Sequence, residues 1–184
     1  VPYYTAQDGN MSVFHVVNTD TTNGKALKVR FRGASNSDDV LDFQVFMSPG
    51  DVWTAAVVKG ANDVASLVTA DGTCTMPAAD KANNTREGYV EIFNMADIDS
   101  SKQAVYGGVG NTIPVNAPLY TAIKHVNGVA PCSDSVLQGT LATGAGTPGL
   151  LPPTDGLMGS WYIINVPQTT TFSGAANAIF ATGA

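Results

Sequence analysis

Few residues in this chain have the type and spacing that chemistry needs. The only histidines are His15 and His125, so a Ser or Cys nucleophile has at most two places to find an imidazole base. No GxSxG elbow is present, and a catalytic triad would have to be assembled by the fold. His15 lies inside the apolar run Met11–Asn18 and reads as a hydrogen-bonded core histidine. His125, between Lys124 and Asn127-Gly128, reads as a solvated strand end. The run Gly144-Ala145-Gly146-Thr147-Pro148-Gly149 has the GxGxxG spacing of dinucleotide-binding loops. That fingerprint must open a helix, which Pro148, Pro152 and Pro153 forbid. Tyr106-Gly107-Gly108-Val109-Gly110 lacks the GK[ST] of a phosphate loop and reads as a turn cluster. Glu87 and Glu91 share one face of a strand about 13 Å apart by the strand rise, too far for a glycosidase pair. They are better suited to offsetting Lys28, Arg30 and Arg32 across a sheet face.

Two acidic loops could hold a hard cation. Asp38 and Asp39, with Asp42, surround Ser35-Asn36-Ser37, and Asp97 and Asp99 stand in Asp97-Ile98-Asp99-Ser100. Calcium takes such carboxylate and carbonyl oxygens, although no EF-hand loop matches. The same residue types also build Asx turns, as do Asn18-Thr19-Asp20 and Asn23-Gly24. No other cofactor is implied, and a c-type haem is excluded because no CxxCH is present. The two cysteines, Cys74 and Cys132, have neither CxxC spacing nor a neighbouring histidine. They suit one long-range disulfide, which implies an oxidising, extracellular address; the alternative is two buried free thiols.

Composition narrows the class further. The 184 residues carry 9 Lys+Arg against 15 Asp+Glu, a net charge of -6, and only 13% are charged while 44% are apolar. An acidic chain without a basic cluster is a poor partner for nucleic acid, and no apolar run is long enough to span a membrane. The length suits a single domain over residues 1–184.

The elements that would position these residues are short β-branched and aromatic runs between Gly, Asn, Asp and Pro turns. Met11–Asn18 and Trp161–Val166 are apolar on both faces, as central strands are. Ala26–Gly33 alternates, with Leu27, Val29 and Phe31 on one face and Lys28, Arg30 and Arg32 on a wet or ion-paired one. Leu41–Met47 alternates too, and Ser48-Pro49-Gly50-Asp51 turns the chain into Val52–Lys59. Ala65–Ala70 and Thr73–Met76 continue a meander through a primed hairpin turn at Asp71-Gly72. Residues 77 to 86 read as a loop, Gly88–Met95, Tyr120–Val126 and Thr170–Ala181 as strands, and Ser133–Leu137, with Ser133 as N-cap, as the single short helix. Residues 139 to 160 form a low-complexity stretch, read as a mobile surface loop or an arm against another molecule. About eight to ten strands with so little helix predict an all-β sandwich or jelly roll. Its core is expected to hold Val13, Val17, Leu27, Val29, Phe31, Phe43, Val45, Ile92, Trp161 and Ile163.

Several stretches together resemble a family of secreted bacterial proteins described only as cell surface proteins. They are Pro2-Tyr3-Tyr4-Thr5, Val17-Asn18-Thr19, Gly24-Lys25-Ala26 through Val29–Gly33, Ser48-Pro49-Gly50-Asp51-Val52-Trp53-Thr54-Ala55, Arg86–Glu91 and Ile163–Val166. The resemblance implies a cell-surface address and transfers no functional residue.

The expected function is therefore a non-enzymatic structural subunit of an extracellular fibre or surface lattice whose only partners are copies of itself. The thin charge layer lowers repulsion between copies, and open sheet edges accept a neighbour's strand. The segment Val1-Pro2-Tyr3-Tyr4-Thr5, within a flexible arm of residues 1–10 jointed at Asp8-Gly9-Asn10, is the expected exchanging strand. The alternative for this arm is an edge strand on its own sheet. The alternative function is a monomeric adhesin or carbohydrate-binding module, which needs exposed aromatics. Peptide mapping without reductant should recover Cys74 and Cys132 in one linked species; two free thiols would overturn the bridge and most of the case for an extracellular address.

Overall fold

The computed structural model describes residues 1–76, 86–100 and 118–179. The Tyr106–Gly110 cluster, residues 77–85 of the expected loop and residues 180–181 of the expected 170–181 strand lie outside them; that strand ends at Ala175. Eleven strands and two α-helices follow in order: β1 (Tyr4–Thr5), β2 (Asn10–Asn18), β3 (Gly24–Gly33), β4 (Asp39–Met47), β5 (Val52–Lys59), β6 (Ala65–Val68), β7 (Cys74–Thr75), β8 (Glu87–Ile98), α1 (Pro118–Ile123), α2 (Asp134–Thr143), β9 (Leu150–Leu151), β10 (Leu157–Asn165) and β11 (Thr170–Ala175). Among the described residues all strand pairs are antiparallel. One sheet runs β1-β8-β3-β4-β7 with β9 also on β8, and the other runs β11-β10-β2-β5-β6. The two pack face to face, so the all-β sandwich is the fold. No described helix is long and apolar enough to cross a membrane.

The alternating strands behave as their patterns dictate. Leu27, Val29 and Phe31 of β3 and Phe43 and Val45 of β4 are buried between the sheets. On the opposite face, Lys28 pairs with Asp42 at 2.8 Å and Arg32 with Glu91 at 2.9 Å, while Arg30 lies over the Phe93 ring. A chain of aromatic contacts crosses the core, from Tyr4 to Phe31 (5.3 Å), Phe31 to Phe14 (5.8 Å) and to Phe43 (6.3 Å), and Phe43 to Trp53 (5.8 Å). Ile163 is also buried, and Ile92 and Trp161 pack partly covered against this core.

Strand β2 corrects the expected core. Ser12, Phe14, Val16 and Asn18 point inward, while Val13, His15 and Val17 face out and are only half-buried. A run with apolar residues on both faces carries little preference between them, and the fit of the Phe14 ring against Phe31 decides the register. The polar residues this brings inside find partners. Ser12 Oγ donates to the Thr5 carbonyl and accepts from the Thr5 N–H, and Asn18 Nδ2 donates to the carbonyls of Asn23 and Ser48.

Four further expectations change. Strands β6 and β7 pair with β5 and β4 in different sheets, so Asp71-Gly72 is a crossing between layers, not a hairpin turn. The Asp71 carboxylate holds that crossing by accepting from the backbone N–H groups of Thr54 and Thr73. Tyr120–Val126 is not a strand: α1 begins at Pro118, a residue suited to the first helical turn, and buries Leu119, Ala122 and Ile123 on one face. The second helix, α2, starts after Ser133 as expected but runs to Thr143, so the described residues hold two short α-helices rather than one. Residues 139–160 are built into the domain as the end of α2, β9 and the start of β10.

The helices cover one end of the outer face of the β8-β3-β4 sheet, where Leu119, Ile123 and Leu137 meet Ala26, Phe46 and Ile98. The Cys74–Cys132 disulfide, with Cα atoms 5.3 Å apart, ties β7 to the chain after α1. Truncating Phe31 or Phe43 to Ala should cost about 3–5 kcal/mol through lost burial and a cavity. Val13→Ala, on the outer face, should cost under about 1 kcal/mol. Urea unfolding of the three variants checks the assignment of faces.

Candidate functional site

The arm Val1–Thr5 is the sequence-predicted site with a distinct structural setting. Here it completes its own sheet: Tyr4 pairs with Gly88 and Thr5 with Glu87, and Val1 and Val90 exchange backbone hydrogen bonds of 2.8 and 3.0 Å. Pro2 and Tyr3 stay exposed, and the Tyr3 hydroxyl donates to Glu87. Tyr4 points the other way, is 2% exposed and meets Phe31 edge-on. Burial, with the Glu87 charge adding to it, pushes its phenol up to about 12. Gly88 permits this seat, because a Cβ there would stand 1.8 Å from the Arg32 carbonyl oxygen and 3.1 Å from the Tyr4 ring. The Ser12–Thr5 bonds then tie the arm to the other sheet as well. Beyond it, Asp8 (φ 53°) and Gly9 (φ 79°) turn the chain through left-handed backbone into β2.

The candidate cation ligands do not converge. Asp39 lies opposite Arg32 and Asp97 opposite Lys25 in the register of β3, seven residues and about 23 Å apart along that strand. Asp38 accepts from Asn36 Nδ2. Asp97 is engaged by a cation of the chain itself, and Asp99 is also partnered. No group of three His, Cys, Asp or Glu side chains placed to hold a metal occurs among the described residues. The Asn18–Asn23 loop is an Asx turn: Asp20 accepts from the N–H groups of Asn23 and Thr22, and the Asn23 N–H foremost holds its carboxyl below the usual range.

The histidines also find structural partners. His15 sits on the outer face of β2 rather than in the core, its Nδ1 2.9 Å from Thr54 Oγ1 and its ring edge-on to Tyr162. The fold does gather a serine, a histidine and an aspartate: His125 Nδ1 is 3.0 Å from Ser48 Oγ and 3.8 Å from Asp51 Oδ2. Both oxygens address the same ring nitrogen. A proton relay needs the serine on one nitrogen and the carboxylate on the other, so the cluster instead fastens the Ser48–Asp51 crossing to the segment after α1. Glu87 and Glu91 are taken by Tyr3 and Arg32. The GxGxxG run follows α2 as a 3-10 turn and leads into β9, the reverse of a nucleotide-binding order.

One polar cluster was missed. Lys25 Nζ, fully buried, donates to Asp97 Oδ1 at 2.7 Å, to Thr154 Oγ1 and the Asp155 carbonyl at 3.0 Å, and to the Thr154 carbonyl at 3.3 Å. Asp97, 1% exposed, also accepts from the Thr154 N–H and hydroxyl and from Asn94 Nδ2. A signal existed in the sequence: Lys25 has the parity of Leu27, Val29 and Phe31, which puts it on the core side of β3. Lys25→Met should cost on the order of 3–5 kcal/mol by leaving Asp97 buried and unpaired, and adding Asp97→Leu should recover most of it. Chemical denaturation of the single and double variants measures the difference.

In comparisons with family models, curated proteins and solved structures, nothing matches this chain.

Proposed function

We propose that the protein is a non-enzymatic structural subunit of an extracellular fibre or surface lattice, in which copies join by β-strand addition through the arm Val1–Thr5. The observation that carries this reading is the seat of Tyr4. A strand with two ladder pairs inserts one aromatic anchor between the layers, and its receptor is made by Phe31, Gly88, Val90 and Ser12 on other strands. Such a receptor is indifferent to which copy supplies the arm, and the Asp8-Gly9 joint is where the arm can be redirected. Supporting features are the low charge density, the disulfide, which suits an oxidising compartment, and the cell-surface address that the resemblance implies. For the adhesin alternative neither tryptophan offers an open face, since Trp53 is fully buried and the Trp161 indole, partly covered, donates to the Ala175 carbonyl; the exposed rings include Tyr3, Phe93, Tyr162 and Phe172.

Thr5 and Glu87 face each other in the ladder, which gives a direct test. Thr5→Cys protein is mixed with Glu87→Cys protein, and the mixture is oxidised after assembly. A disulfide-linked pair of chains is the expected result. The double variant in one dilute chain should link internally and shows that the geometry permits the bond. An internal link in the double variant with no link between chains in the mixture would confine the arm to its own domain.

A further inference from the structure

The two outer faces of the sandwich are unlike. On the β8-β3-β4 sheet the outward positions hold the Lys28–Asp42 and Arg32–Glu91 pairs, and the helices cover one end. On the β11-β10-β2-β5-β6 sheet, read from the ladder registers, no outward position carries Lys, Arg, Asp or Glu. Met158, Val17 and Val52 form one cross-strand row, and Tyr162, Val13, Ala56 and Val68 form another. Met158 is 64% exposed, Val68 49%, Val52 41% and Tyr162 37%. Isolated exposed apolar residues are ordinary, but two cross-strand rows of them on a charge-free sheet face, flanking the Ser160–His15–Thr54 row, mark a surface meant to be covered.

We infer that this face packs against the same face of a second copy, forming a two-fold, sheet-on-sheet contact distinct from arm exchange. The occupant follows from charge and size. The net charge of -6 would oppose contact between copies through most surfaces. Here the facing sheets are neutral, and each copy's charged sheet stands about 10 Å behind its neutral one. Five strands at about 4.8 Å spacing and some 20–25 Å long present roughly 500–600 Å² per copy. The contact would then cover roughly 1,000–1,200 Å² in total, the size at which specific interfaces begin. Valine, methionine and tyrosine are self-complementary by dispersion, and aligned sheets at about 10 Å pack such side chains as a core does.

The inference rests on the reading of the protein as self-associating, so its test must hold the arm fixed. The Thr5→Cys/Glu87→Cys chain, locked internally by its own disulfide, cannot exchange arms. Sedimentation equilibrium of this locked protein should show a monomer–dimer equilibrium. Adding Met158→Lys and Val52→Lys should weaken the dimer by more than about tenfold with the melting temperature little changed, whereas Gln44→Lys on the opposite sheet should leave it intact. A locked protein that stays monomeric at about 100 µM, or a dimer that ignores both lysines, would overturn the face-to-face contact and leave arm exchange to stand or fall on its own crosslink.

Discussion

The Lys25–Asp97 pair is the constraint on which one end of the sandwich depends. An ammonium and a carboxylate removed from water cost several kcal/mol each unless every donor and lone pair is met. Here the partners come from three separated parts of the chain: β3, β8 and the Thr154–Asp155 segment. Lys25 and Asp97 are direct ladder partners, so the pair holds the β3–β8 register at its far end. Thr154 and Asp155 must close over it, and that fixes the path by which the chain enters β10 three residues after Thr154. A buried pair of this kind adds little net stability over an apolar one, yet it penalises any register that separates its members.

The opposite end of β8 is held by different physics. There the seal is aromatic and local to the arm: Tyr4 covers the Phe31 ring, and the Ser12–Thr5 bonds reach across to the other sheet. An ionic lock spread over three segments cannot be handed to a neighbouring copy without dismantling the domain. A single anchored strand on a left-handed joint can. The proposed exchange therefore falls on the first residues, and the low-complexity stretch, despite its composition, is part of the scaffold.

The faces divide in the same spirit. Ion pairs and helices finish the outer side of one sheet, while the outer side of the other has Val13, Val17, Val52 and Met158 with nothing charged among them. The proposed association through one face would draw on this asymmetry, because a uniformly charged surface would disperse the copies and a uniformly apolar one would aggregate them.

The sequence by itself determined those features in which neighbouring residues differ. The alternation in β3 and β4 reveals both faces, Ser48-Pro49-Gly50-Asp51 reveals a turn, and two lone cysteines allow a single pairing. It also contained the parity that buries Lys25. The tertiary structure alone decided what local pattern leaves degenerate. In β2 both faces are apolar, so only the Phe14–Phe31 contact selects which side is core. Six residues of α1 are too short to display a helical period, and their fold is set by burial of Leu119 and Ile123 against Ala26 and Ile98. The division of β6 and β7 between sheets, and the gathering of Ser48, Asp51 and His125, depend on pairings between distant segments. A strand's own residues state which of its faces wants to be dry, but which strand lies beside it is a property of the whole chain.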